Sequence, residues 1–208
     1  MTERLVERTL RAFSDDLASS AAVPGGGSAA AYSGALGAAL AAMVGRIAER
    51  KEKSEATAAL ITEADNLRAD FLRLVDDDSA AFATVSEAMK MPKATDEDKL
   101  ARKERLQSAL LAASRVPLEV AKTSRRLLEL CERAMTTAPT ATVSDIGVGA
   151  LMAESALSGA ALNVMINLAS MTDSAQVKAL SEDLDRAVDG AEAQRKRITE
   201  FVESRIAR

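Results

Sequence analysis

Apolar side chains recur at helical spacing along nearly the whole chain. Leu5, Val6, Leu10, Phe13 and Leu17 share one face and predict a helix over about 3–19. Pro24 and three glycines then break the pattern. Ser28 stands where an N-cap hydroxyl would accept an orphan backbone N–H, and a helix over about 29–50 is expected after it. That helix carries no charge before Arg46, so burial on nearly all sides is predicted. Leu60, Ala64, Leu67, Phe71, Leu74, Ser79, Phe82, Val85 and Met89 form a seam near heptad spacing, predicting a long helix over 55–90 that packs along its length. Pro92 closes it. Thr95 followed by Asp96, Glu97 and Asp98 reads as a cap with acids suited to a helix N-terminus, opening a helix over about 96–115. Pro117 either kinks that helix or starts another, which continues through Met135. Residues 136–143 read as a loop. Ser144 and Asp145 open a second nearly uncharged helix over about 145–170, with Glu154 as the lone charge from Ile146 to Thr172. A last helix over 174–206 carries Val177, Leu180, Leu184, Val188, Ala191, Ile198, Val202 and Arg205 on one stripe.

These elements predict an all-α, single-domain helical bundle over residues 1–208. Two buried small-residue helices form its centre and amphipathic helices surround them. Small surfaces on the central helices, at Gly34, Gly37, Ala41 and Gly45 and at Gly147, Gly149, Ala150 and Ala153, let neighbours approach closely, and a homodimer is expected. Composition agrees: 43 alanines and only five aromatics in 208 residues suit helices and not a β-sandwich. The balance of 27 basic against 31 acidic residues, a net charge of −4, speaks against a nucleic-acid partner. The charged N-terminal residues offer no apolar leader, so a cytoplasmic location is expected. Residues 17–45 are uncharged, but 13 of the 18 residues from 28 to 45 are Ala, Gly or Ser, and Pro24–Gly27 interrupts the run. Membrane insertion is driven by larger apolar side chains, so a buried bundle helix is preferred and no membrane partner is expected.

The chain has no histidine and one cysteine, which excludes histidine-based catalysis, an internal disulfide and a multi-cysteine metal site. Cys131 sits on an apolar stripe and reads as core. No metal is predicted. Pro24-Gly25-Gly26-Gly27-Ser28 is the sharpest local motif. Exposed backbone N–H groups ahead of a helix can hold a polar ligand; a tight turn is the alternative. Ser144 and Asp145 read either as a helix cap or as a carboxylate at the edge of a pocket, able to act as general acid or base. Asn163 and Asn167, four apart on one face, either bond between helices or read the edge of a heterocycle. Lys51 and Lys53 either complement the end of their helix or bind a substrate carboxylate. In the Asp76–Asp78 run, Asp78 lies four before Phe82 and is the one that can turn inward, while Arg102 and Gln107 read as surface residues.

Taken together, several separated motifs resemble the formiminotetrahydrofolate cyclodeaminase and methenyltetrahydrofolate cyclohydrolase family. They are Val23-Pro24-Gly25-Gly26-Gly27-Ser28, Asp76-Asp77-Asp78-Ser79-Ala80-Ala81-Phe82, Met91-Pro92-Lys93, Val116-Pro117-Leu118, Val143-Ser144-Asp145-Ile146-Gly147 and Asn163-Val164-Met165-Ile166-Asn167. The resemblance implies a helical homodimer acting on folate-bound one-carbon units. No covalently bound cofactor is implied, and a tetrahydrofolate derivative is the implied substrate. It implies either closure of 5-formiminotetrahydrofolate to 5,10-methenyltetrahydrofolate with loss of ammonia, or interconversion of the methenyl compound with 10-formyltetrahydrofolate. Asp145 is the implied proton-transfer residue. Gly25, Gly26, Gly27, Ser28, Lys51, Lys53, Asp78, Ser144, Asn163 and Asn167 are the implied substrate contacts. The sequence departs from the family pattern at Arg46, Ser54 and Met165, where Asn, Tyr and Arg are usual. A divergent member binding or transforming another small molecule is the alternative reading.

Overall fold

The computed structural model describes residues 4–207. Its helices are α1 (Leu10–Leu17), α2 (Gly26–Lys51), α3 (Glu55–Lys90), α4 (Asp96–Thr137), α5 (Val143–Leu168), α6 (Ser174–Val188) and α7 (Ala191–Ile206), with 3₁₀ turns at Leu5–Glu7 and Thr140–Thr142. No strand occurs among the described residues. The expected helix over 3–19 divides into the first 3₁₀ turn and α1, whose N-cap is Thr9; Glu3 lies outside the described residues. The expected helix over 174–206 also divides, because Gly190 takes a left-handed φ of 68° between α6 and α7. Conversely, α4 runs unbroken through Pro117 for 42 residues. Ser54 caps α3, and Thr95 forms a reciprocal capping box with Asp98.

α2 and α5 form the centre and run antiparallel. Gly26 lies against Asn163, Ser33 donates to the Met152 carbonyl at 3.1 Å, and Gly37 meets Gly149. A Cβ on Gly37 would stand 2.9 Å from the Gly149 carbonyl oxygen, so the two helices touch backbone to backbone. α3 closes over α2, with the Phe71 ring filling the space left by Gly34. Leu67, Phe71, Leu127, Leu128, Ile146 and Ile198 are fully buried in this main core, and Cys131 lies among them as expected. A second, smaller cluster of Val85, Ala88, Ala109, Leu110 and Ala113 joins the far end of α3 to α4.

Burial of the two central helices is less complete than the sequence predicts. Both are long and apolar enough to cross a membrane by length and composition; 61% of the apolar window of α2 is buried in the bundle, but only 39% of that in α5. The outward faces carry Leu36 and Met43 on α2 and Val148, Leu151, Leu162, Met165 and Ile166 on α5.

Candidate functional site

The glycine motif starts α2 earlier than the sequence suggests. Gly25 is the N-cap, in extended conformation, and Ser28 is already inside the first turn. Ser28 is therefore not a cap. Its fully buried hydroxyl instead points across to α3, 2.9 Å from Asp78 Oδ2 and 3.1 Å from the Val75 carbonyl. Gly25 offers no side chain to the helix end, and the Asp78 carboxylate takes that place. It seats directly on Gly27, where any Cβ would overlap its oxygens. An anion at a helix N-terminus is favoured by the aligned peptide dipoles. Burial nevertheless dominates and pushes the Asp78 carboxyl above the ordinary carboxylate range, while hydrogen bonds from Ser28 pull it partly back.

Beyond this contact α3 loses α2 as a neighbour, since α2 has begun. The seam residues Phe82 and Met89, expected in the core, are exposed and form one wall of a cleft. The cleft has a volume of about 340 Å³, within the range of small-molecule sites. Gly25, Gly26, Gly27 and Asp78 form its floor; Asn163, Ile166, Asn167 and Ser170 form the wall opposite α3. Asn163 donates to the Gly159 carbonyl at 2.8 Å and Asn167 to the Ala113 carbonyl at 3.1 Å. Both asparagines are thus partly tied down, and among the described residues their side-chain oxygens accept no hydrogen bond. Two amide side chains and a carboxylate thus line a slot whose α3 wall is apolar, an arrangement able to bind a flat heterocycle with polar groups on its edge. Phe82, Met89 and Ile166 were missed as site residues, because in sequence they are indistinguishable from core positions.

The other expected site residues lie elsewhere. Thr142, not Ser144, precedes α5, and Ser144 and Asp145 occupy its first turn, one exposed and the other half-buried. Asp145 is 18 residues from Asn163 along one helix, about 27 Å at 1.5 Å per residue. Lys51 and Lys53 are exposed at the far end of α2, with Lys51 beside a groove that Thr136, Thr137 and Pro139 also line. Within one chain the expected set is thus split between opposite ends of the α2–α5 pair. The positions that depart from the family pattern lie outside the cleft. Arg46 pairs with Asp65 on the surface, Ser54 caps α3, and Met165 is on the outward face of α5. Gln107, expected as a plain surface residue, ties the end of α5 to α4 by donating to the Ser170 carbonyl and accepting from Thr172 N–H.

Residues 9–186 match the formiminotransferase-cyclodeaminase family. The chain belongs to this family. Among relatives of the formiminotransferase-cyclodeaminase family, it is 38% identical over 202 residues to the methenyltetrahydrofolate cyclohydrolase of Methylorubrum extorquens, covering 95% of this chain and 97% of that one. It is 35% identical over 209 residues to the formimidoyltransferase-cyclodeaminase of Sus scrofa, covering 99% of this chain but only 39% of the longer pig protein. The crystal structure of formiminotetrahydrofolate cyclodeaminase from Thermotoga maritima superposes with a TM-score of 0.85 at 25% identity, over 95% of this chain and 97% of that one.

Proposed function

We propose that the chain is a homodimeric folate one-carbon enzyme that hydrolyses 5,10-methenyltetrahydrofolate to 10-formyltetrahydrofolate. The observation that carries this reading is the Asp78 carboxylate, held on the glycine start of α2 at the floor of a cleft of heterocycle size. The chain is 38% identical to a methenyltetrahydrofolate cyclohydrolase and 25% identical to a formiminotetrahydrofolate cyclodeaminase, each over nearly the whole of both proteins, and the higher identity supports hydrolysis.

The substrate carries a cationic carbon between two nitrogens. A carboxylate beside it stabilises that charge and accepts a proton from the attacking water. The tetrahedral carbon then releases N5, which takes the proton held by the carboxylate, while the hydroxyl on that carbon loses its proton to solvent and becomes the formyl C=O on N10, so that one proton is released overall. Asp78 suits both transfers, since burial brings its carboxyl toward the working pH. The side-chain oxygens of Asn163 and Asn167 accept hydrogen bonds from the pterin edge, while Phe82 and Ile166 cover its faces.

The test is the absorbance of 5,10-methenyltetrahydrofolate with purified protein, followed in both directions and with and without ammonium. Enzyme-dependent hydrolysis is expected, reduced about 10²-fold or more in Asp78→Asn. Ammonium-dependent consumption of the methenyl compound without hydrolysis would assign the chain to cyclodeaminases instead. No change with either would refute the folate reading.

A further inference from the structure

Among the described residues, the polar side chains that line the cleft are Asp78, Asn163, Asn167 and Ser170. The first three already have a role. Ser170 lies two residues past the end of α5 and follows Asn163 by seven positions and Asn167 by three, so it continues their stripe. At 1.5 Å per residue it stands about 10 Å along the axis from Asn163, away from the glycine floor. The apolar side chains of Val85, Met89 and Leu110 otherwise line that end of the cleft. Ser170 is exposed, and among the described residues its hydroxyl has no hydrogen-bond partner.

The backbone that carries this free hydroxyl is nevertheless fixed from α4. Gln107 Nε2 donates to the Ser170 carbonyl at 3.0 Å, and Gln107 Oε1 accepts from the Thr172 N–H at 2.7 Å and from the Thr172 hydroxyl at 3.2 Å. The carboxamide thus pairs with backbone groups on both sides of Met171, as a neighbouring strand would. Met171 is anchored in turn. It is half-buried, packs against both apolar clusters, and its sulfur accepts from the Ser114 hydroxyl at 3.6 Å. Met171 turns toward the core and Ser170 toward the cleft. Ordering a segment costs conformational entropy, and the Ser170 side chain makes no bond in the free protein that would offset it. A ligand that meets an already ordered group gains affinity from that order.

We propose that Ser170 is a substrate-binding residue, its hydroxyl meeting the end of the heterocycle remote from Asp78, and that Gln107 is the residue that positions it. The proposal rests on the folate reading above and adds a specificity contact to it. A hydroxyl donates as well as accepts, so Ser170 can give a hydrogen bond to a ring nitrogen or carbonyl of the substrate. That end of the ring does not change during hydrolysis. The bond is therefore equally strong before and in the transition state, and it contributes to binding and not to turnover.

The test is a double-mutant cycle read on KM for 5,10-methenyltetrahydrofolate. Ser170→Ala is expected to raise KM by about three- to tenfold, the range of one neutral hydrogen bond, with kcat changed by less than about twofold. Gln107→Ala is expected to do the same. The double variant should match the single ones, because Gln107 acts through a hydroxyl that is no longer there. Ser170→Thr keeps the hydroxyl and should stay near wild type. A Gln107→Ala chain too unstable to assay is replaced by Gln107→Glu, which keeps the two bonds from Thr172 and loses the donor to Ser170. Wild-type KM in Ser170→Ala would overturn the contact. Losses that multiply in the double variant would overturn the positioning role and leave Gln107 a structural tie. If the wild-type protein binds the compound without hydrolysing it, the functional reading falls, and the same cycle on the dissociation constant from equilibrium dialysis decides the proposal. No binding at all would overturn both.

Discussion

Asn167 donates its amide to the carbonyl of Ala113, the oxygen that Pro117 leaves without a helical partner. Proline has no N–H to give to the residue four before it. The side chain that lines the cleft thus also repairs the interior of α4. This bond gives α4 a reason to continue through its proline, and it locks the end of α5 to α4 beside the site. Asn167→Ala is expected to cost about 1–3 kcal/mol in urea denaturation, the range for an orphaned buried acceptor. Pro117→Ala restores the missing donor, so the same asparagine change made in that background is expected to cost much less. Equal losses in both backgrounds would refute the coupling.

The raised carboxyl of Asp78 predicts a pH dependence of stability. Its folded value lies above its unfolded one, so the stabilisation from holding the proton is complete below the unfolded value near 3.8. It is lost as pH rises through the raised folded value. Asp78→Asn keeps an acceptor for Ser28 and has no charge to bury. Relative to wild type, the variant should gain stability between that low pH and neutrality, measured as the difference in urea midpoints. A difference that does not change with pH would contradict the assignment.

The adjacent glycines Gly26 and Gly27 should respond differently. A Cβ on Gly27 overlaps the Asp78 carboxylate, so Gly27→Ala is expected to lose about 1–3 kcal/mol by overpacking. A Cβ on Gly26 would rest 3.5 Å from the Asn163 amide, an ordinary contact at the cleft surface. Gly26→Val should leave the melting temperature nearly unchanged and raise KM by about tenfold or more, since roughly 1.4 kcal/mol of binding is a factor of ten. A parallel collapse of melting temperature and binding in Gly26→Val would make the motif a structural turn only.

Cys131 offers a probe of global opening. It is fully buried and burial pushes its thiol up to about 12, so iodoacetamide should label it only through unfolding. The labelling rate is expected to rise with urea in step with the unfolded fraction. Rapid labelling of native protein would place the thiol outside the core.

The start of α4 was legible in the sequence, where Thr95 and the acids after it read as a cap, and α3 was legible from its long apolar seam. Legibility failed where the deciding partner is distant in the chain. Pro117 looks like a break until Asn167 is seen bonding to Ala113, 54 residues away. Ser28 looks like a cap because nothing local says that Asp78 will occupy the helix end. Phe82 and Met89 continue the periodicity of α3 faithfully, and only the starting point of α2 turns them from core into cleft wall. Two missed boundaries had a local signal: Thr9, a cap residue before Leu10, and Gly190, a glycine between two helical stripes.

The cluster of Val85, Ala88, Ala109, Leu110 and Ala113 is thin, since three of its five members are alanines. It holds together the outer ends of α3 and α4, which form one wall of the cleft, while the glycine floor belongs to the main core. The two walls of the site therefore differ in how readily they open. Local opening free energies follow the apolar contact that must be broken. Backbone amides near Val85 and Leu110 should exchange with deuterium well before those near Leu67 and Leu127. A ligand bridging floor and wall would slow the faster set most, because binding to the closed form alone stabilises it by mass action. The α3–α4 side of the site is thus the more loosely held one, and entry of a flat substrate from that side is the expected consequence.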